Sequence, residues 1–308
     1  MKDIMVIESI KDGTVLVRHG EKATKDFSHL QNLRMLRASS IGRKCDTELF
    51  LSASGQESQF DKKALRIFEI GRIMEPVVVK WMREDGWEVK HNDDDSLGMI
   101  MAAGSGIITG HPDIFARHPK ITKNEWILAD IKTMNSRRYS AWTKNGVKES
   151  DPSYLAQLLF YGHAWGYDKL GLIAIDKSSG DYSVELFDFD QKAFNKLYER
   201  AKEILDADMA TPMKYSRECN WCSKKDSCKG TMTNNLPRIK DTKHIIDILA
   251  HMYELYEFTD DGNLSLVKPK MSLEEILLPP DGKKIVFDGI DTEITDEEEE
   301  IGDWIEIS

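Results

Sequence analysis

An aspartate and a lysine two positions apart, Asp130 and Lys132, stand at the end of the run Glu125 to Thr133 (Glu-Trp-Ile-Leu-Ala-Asp-Ile-Lys-Thr). A short run of this composition reads as a largely buried strand. Side chains alternate faces along a strand, so Asp130 and Lys132 point the same way while Ile131 turns into a core. Ionised groups are costly to bury unless they are paired or coordinated. A second segment, Gly110-His-Pro-Asp113, comes just before, and a short hairpin brings its carboxylate to the same place. Two acids and an amine held together suit a metal beside a nucleophilic water.

At 308 residues, the chain can hold one large domain or one domain with an appendage. Its 41% hydrophobic and 31% charged residues fit a soluble globular protein. No stretch approaches a membrane span and the first residues lack a signal-peptide pattern, so the expected location is the cytoplasm, without membrane contact. There the four cysteines are expected as metal ligands or free thiols rather than disulfides. Residues 281–308 hold eleven acids and two lysines and so carry −9 of the net −11, which leaves −2 on the rest. An acidic tail therefore explains the charge, and the remainder is not barred from nucleic acid.

Residues 4–8 and 14–18 flank Asp12-Gly13 and predict a hairpin. Arg34, Arg37, Arg43 and Lys44 lie around Cys45, as a solvated face or as phosphate contacts, and Ser39-Ser40 starts a short helix. Phe60 to Glu84 has helical periodicity and carries Glu75, with Pro76 expected to kink the helix or start its second half. Strands follow at Trp87 to Lys90, Met99 to Ala103 and Ile107 to Arg117, the last carrying Asp113. The polar loop Asn92-Asp-Asp-Asp-Ser lacks the spaced ligands of a calcium loop and reads as a solvated turn.

After the Asp-x-Lys strand the chain turns basic. Lys132, Arg137, Arg138, Lys144 and Lys148 alternate with Tyr139 and Trp142 and no acid, a loop suited to neutralising phosphates and stacking bases. Ser153 to Trp165 predicts a helix capped by Ser153, with Gln157 and Tyr161 on one face. Strands at Leu170 to Asp176 and Tyr182 to Phe189, a helix at Gln191 to Ala207 and another at Asp241 to Phe258 complete an α/β or α+β order. Cys219-x₂-Cys222-x₅-Cys228 lies between those two helices, and its spacing alone admits structural zinc as readily as an iron–sulfur cluster. No phosphate-binding Gly-x-x-x-x-Gly-Lys-Ser/Thr loop is present, so any helicase or recombination motor must be a partner in trans.

Glu75 on a helix, Gly110-x-x-Asp113, Asp130-x-Lys132 and Gln157-x-x-x-Tyr161, taken in order, resemble the PD-(D/E)XK nuclease superfamily in its RecB-like branch. Cys45 upstream and the three cysteines downstream resemble the iron–sulfur members, which include CRISPR-adaptation exonucleases and the nuclease domain of AddB. The resemblance spans about residues 38 to 230. It implies a restriction-endonuclease-like core, with a mixed central sheet flanked by helices and closed by a C-terminal cysteine cluster. The implied organisation is an N-terminal β-hairpin extension (1–37), a nuclease core (38–235) and a C-terminal extension with the acidic tail (236–308).

The same resemblance implies the roles. Glu75, Asp113, Asp130 and the Ile131 carbonyl would hold Mg²⁺ or Mn²⁺, with Lys132 at the attacking water. Cys45, Cys219, Cys222 and Cys228 would hold a [4Fe–4S] cluster, with structural Zn²⁺ the alternative. Gln157 and Tyr161 would orient the DNA backbone, joined by Arg137, Arg138, Tyr139, Trp142 and Lys144. His111 and His163 are supporting or packing residues. The expected activity is a metal-dependent exonuclease on single-stranded DNA or duplex ends, serving recombination, repair, degradation or CRISPR adaptation. A virus-encoded enzyme acting in its host's cytoplasm fits the same reading. The alternatives are a structure-specific endonuclease and a non-catalytic DNA-binding adaptor. The tail, with Ile301, Trp304, Ile305 and Ile307 among its acids, is expected to solubilise the protein, to bind a partner protein, or to occupy the basic groove when DNA is absent.

Overall fold

The computed structural model describes residues 4–19, 30, 32–56, 58–92 and 97–272; the acidic tail and most of the Asp-rich loop lie outside them. A hairpin turning at Asp12-Gly13, where φ is 48° and 78°, joins β1 (Ile4–Lys11) to β2 (Thr14–His19), as expected. There follow β3 (Met35–Arg37), α1 (Ala38–Ile41), α2 (Asp46–Ala53) and the long α3 (Lys62–Glu84). Next come β4 (Glu88–His91), β5 (Leu97–Ala103), β6 (Gly106–Gly110), β7 (Ile114–Arg117) and β8 (Ile127–Met134). After β8 stand α4 (Ser136–Asn145), α5 (Val147–Ser150) and α6 (Pro152–Trp165), then β9 (Lys169–Asp176), β10 (Tyr182–Asp188) and α7 (Gln191–Asp206). The short β11 (Met209–Ala210) and β12 (Met232–Thr233), α8 (Thr242–Met252), β13 (Glu254–Phe258) and β14 (Leu264–Leu266) complete the order.

The result is a mixed α/β fold with helices flanking mixed sheets. The two larger sheets are ordered β14-β13-β1-β2-β5-β6-β3 and β10-β9-β8-β7-β4, and β11 and β12 form a small two-stranded pair. The pairs β1–β13, β3–β6 and β8–β9 are parallel. The expected strand from Ile107 to Arg117 is split. β6 belongs to the first sheet and β7 to the second, and the chain crosses between them at His111-Pro112-Asp113. Proline has no N–H for a ladder, which suits a break there.

Alternation along the strands sets the layers. Ile100 of β5 packs with α8 on the outer face of the larger sheet, whereas Met99, Met101 and Ala103 face the central core. On the smaller sheet, Ile127, Ala129 and Ile131 pack against α3, and Leu128 and Met134 face the central core with α6. α6 lies between the sheets, which is why nearly every residue from Ala156 to Ala164 is buried and apolar. Its first residue is Pro152, with Asp151 at the cap position, so Ser153 is not the cap.

Other expectations change in detail. α3 runs unbroken through Pro76, which leaves the Arg72 carbonyl without its in-helix donor. The expected helix to Phe258 stops at Met252, and Glu254–Phe258 pairs in parallel with β1. The N-terminal hairpin and the strands β13 and β14 share a sheet with β5 and β6. No described helix is long and apolar enough to cross a membrane.

Arg34, read from sequence as solvated or phosphate-binding, is wholly buried. It donates to the Leu236, Leu205, Ala207 and Asn234 carbonyls at 3.1, 3.2, 2.9 and 3.1 Å and to Asp208 Oδ1 at 2.6 Å. Arg34→Ala strands these acceptors, and the expected loss is about 3–5 kcal/mol in urea unfolding. Arg34→Lys should recover less than half of it, because one ammonium cannot span the same fork. A lysine variant within about 1 kcal/mol of the parent would contradict this geometry.

Candidate active site

β7 starts at Ile114 and pairs with β8 only as far as Ala129. Beyond that point the Ile131 N–H has no neighbouring strand on its β7 side. It donates instead to Asp113 Oδ2 at 2.7 Å. The N–H and C=O of a strand residue leave by the same edge, so the Ile131 carbonyl opens toward the same gap. Asn92, only 7% exposed, secures the crossing. Its N–H donates to the Asp113 carbonyl at 2.9 Å, and its side-chain amide donates to the carbonyls of Pro112 at 2.9 Å and Leu97 at 3.0 Å. The sequence marked Asn92 only as the start of a solvated turn.

Asp130 and Lys132 share the face of β8 that looks toward α6, as alternation requires. There Gln157 Nε2 donates to the Tyr161 hydroxyl at 3.0 Å, and both side chains are buried. Gly110 makes room for this pair: a β-carbon at that position would stand 2.6 Å from Tyr161 Cε1. The Gly-x-x-Asp and Gln-x-x-x-Tyr segments therefore depend on each other sterically.

The site is electrostatically crowded. Burial pushes the Asp113 carboxyl well above its ordinary range, and the charges of Asp130 and Glu75 add to this against the opposing pull of Lys132. Burial alone would lower the Lys132 ammonium, but Asp130 and Asp113 outweigh it and hold the group firmly protonated. Burial and the Asp130 charge keep the Tyr161 phenol protonated as well. Lys132 Nζ stands between the acids, 2.8 Å from Asp130 Oδ2 and 4.0 Å from Asp113 Oδ2. Asp130 is 0% exposed and neither of its oxygens receives an aligned hydrogen bond, whereas Asp113 and Lys132 are 18% and 19% exposed.

A buried carboxylate met by Lys132 at 2.8 Å, beside two further acids and an open edge, is a donor set that suits a hard divalent cation. Among the described residues no three His, Cys, Asp or Glu side chains close into a ready metal cage. The ammonium of Lys132 supplies the local positive charge.

Tyr154 is a neighbour that the sequence did not single out. Lys132 Nζ lies 5.5 Å and Arg138 Cζ 5.7 Å from its ring centroid, and its hydroxyl accepts from Arg138 Nη2 at 3.2 Å. The basic stretch after Lys132 is a helix, α4, rather than a loop. Arg137, Arg138 and Lys144 are exposed on it, with Arg138 also paired to Asp151. Trp142 is 3% exposed and packs in the central core, and the Tyr139 hydroxyl is bonded to Ser183 Oγ at 2.8 Å. The Trp142 ring is therefore not presented for stacking on a base, and Tyr139 is half-buried. His163 stacks on Phe194 at 4.0 Å, a packing role, and His111 lies 5.9 Å from His19.

The four cysteines are all free and half-buried. Cys45 caps α2, and its sulfur accepts from the Glu48 N–H at 3.4 Å; the Cys219 sulfur accepts from the Ser216 N–H at 3.4 Å. Burial pushes up the Cys222 and Cys228 thiols, and the negative forms of Cys45 and Cys219 repel both. Contacts of Thr47 with Thr211 and Met213, and of Lys44 with Glu218, join the two halves. Among the described residues these cysteines interact electrostatically, but no three His, Cys, Asp or Glu side chains form a group that could hold a metal ion.

Neither a protein-family model nor a curated protein matches this sequence. Among solved structures, an alkaline exonuclease from Laribacter hongkongensis aligns at 15% identity and a TM-score of 0.40, over 56% of this chain and 87% of that one. The same exonuclease in complex with dAMP aligns at 15% and 0.42, over 59% and 91%. SSO0001 aligns at 14% and 0.39, over 67% and 92%. At these scores the likeness fixes neither family nor activity.

A carboxyl whose folded pKa is raised binds its proton more tightly in the native state, so stability falls as pH rises through the window above 3.8. Asp113→Asn removes that penalty and keeps an acceptor for the Ile131 N–H. In chelator at pH 7 the variant should melt higher than the parent, by about 2–4 °C for each kcal/mol recovered. The gap should narrow toward pH 4. A variant melting below the parent at pH 7 would contradict the crowding.

Proposed function

We propose that this chain is a metal-dependent DNA nuclease, an exonuclease on single-stranded DNA or duplex ends, of the PD-(D/E)XK superfamily in its RecB-like iron–sulfur branch. One observation carries the reading. Glu75, Asp113, Asp130, Lys132, Gln157 and Tyr161, scattered over three elements and a loop, are electrostatic or hydrogen-bonded neighbours around the gap beside Ile131.

In this reading Asp113, Asp130, Glu75 and the Ile131 carbonyl hold Mg²⁺ or Mn²⁺, which when bound polarises the scissile phosphate and acidifies water. Lys132, kept cationic by its acids, offsets charge gathering on the phosphate and orients the attacking water. Tyr161, oriented by Gln157, donates toward the same anionic centre. Arg137, Arg138 and Lys144 neutralise flanking phosphates from the exposed side of α4. The substrate is DNA; any helicase or recombination partner acts in trans.

Lys132→Ala, folded as judged by an unchanged circular-dichroism spectrum, should cleave linear single-stranded DNA at least about a hundredfold more slowly in Mg²⁺ or Mn²⁺. Unchanged cleavage would sink the assignment. A circular single strand should resist the parent enzyme, and its digestion would make the activity endonucleolytic.

We further propose a [4Fe–4S] cluster on Cys45, Cys219, Cys222 and Cys228. Protein purified without oxygen should be brown, and Cys222→Ala should lose iron and stability more than turnover. Colourless protein with one equivalent of zinc would replace the cluster by a zinc site.

A further inference from the structure

α3 is buried only in its inner half, through Val78, Val79 and Met82. Its outer half exposes Leu65, Ile67, Phe68, Ile70 and Ile73, with Ile73 60% and Leu65 52% exposed, and none belongs to a hydrophobic cluster of the fold. At 100° per residue these side chains surround the helix, a pattern proper to a covered helix. The helix start is well made: Asp61 Oδ1 accepts from the Ala64 N–H at 2.7 Å, and Phe60 stands edge-on to Phe68 at 5.0 Å. Lys62, Lys63, Arg66 and Arg72 lie among the apolar residues, against Asp61 and Glu69, so the surface is both apolar and basic.

We propose that residues 297–307 (Glu-Glu-Glu-Glu-Ile-Gly-Asp-Trp-Ile-Glu-Ile), which lie outside the described residues, dock on this outer half of α3. The segment carries six acids, no base, and Ile301, Trp304, Ile305 and Ile307, which complements the helix in charge and in apolar content. The described chain ends at Ser272. Residues 273–296, 24 in number, separate that point from the segment. Four of the six exposed apolar residues, counting Phe60, are aliphatic, whereas bases of a nucleic acid stack on aromatic rings. A second copy of the helix would set cations against cations. The docking does not rest on the nuclease reading.

Carbodiimide crosslinking of the full chain, with an equal mixture of ¹⁵N-labelled and unlabelled protein, tests the docking. Expected are crosslinks from acids at 297–306 to Lys62 or Lys63 within single chains, together with slow amide exchange over residues 62–73. Trp304→Ala with Ile305→Ser should cut both signals about tenfold, and Ile10→Ser, exposed elsewhere, should leave them alone. Crosslinks confined to mixed-isotope pairs would assign the face to a second copy. Protection that arises only with a single-stranded oligonucleotide would assign it to DNA, and no crosslink at all would leave it without the tail; each result overturns the proposal. Within-chain crosslinks in a protein that cleaves no DNA would uphold the docking and defeat the nuclease reading.

Discussion

The hydrogen bond from the Ile131 N–H to the Asp113 carboxylate joins the two sheets where the chain passes from one to the other. It stands where a further residue of β7 would have paired, so a side chain completes what the backbone leaves open. The consequence is positional. Asp113 lies at the crossing and Asp130 on a central strand, and their separation is set by sheet register rather than by a mobile loop. Asn92 fixes the same crossing from the outer side through Pro112, and α6 supports it from within through the contact of Tyr161 with Gly110.

Such a site works against the stability of its own fold. Like charges gather around Asp113, Asp130 has no aligned hydrogen bond, and the fold tolerates both because α6 and the two sheets bury enough apolar surface nearby. Lys132 is the internal counter-charge. Held by two carboxylates, it remains cationic. Tyr154 connects that charge to Arg138, giving a line of cations from the gap to solvent.

Much of this was legible in the residues. Two-residue alternation identified the face shared by Asp130 and Lys132, and the apolar run around Gln157 and Tyr161 marked a buried helix. What escaped was set by partners distant in the chain. Arg34 resembles any surface base until the carbonyls of residues 205–236 arrive around it. Trp142 resembles a stacking platform until the central core closes on it. Glu254 to Phe258 continues a helical pattern until β1 offers a parallel edge, and a strand then gains more than another helical turn. The split of residues 107–117 was marked locally by Pro112 and hidden by the apolar residues on either side.

Arg34 also bears on how such a chain acquires its structure. Its partners lie between 171 and 202 positions further along, so the guanidinium has nothing to bond until most of the polypeptide exists. Closing a loop of that size brings no reward before the last contacts form, which places this corner late in folding. During synthesis from the N-terminus, β3 would wait beside an unmet charge while the central core assembled around it. The bonds of Arg34 therefore tie the start of the chain to residues 205–236 and cannot form before those residues exist.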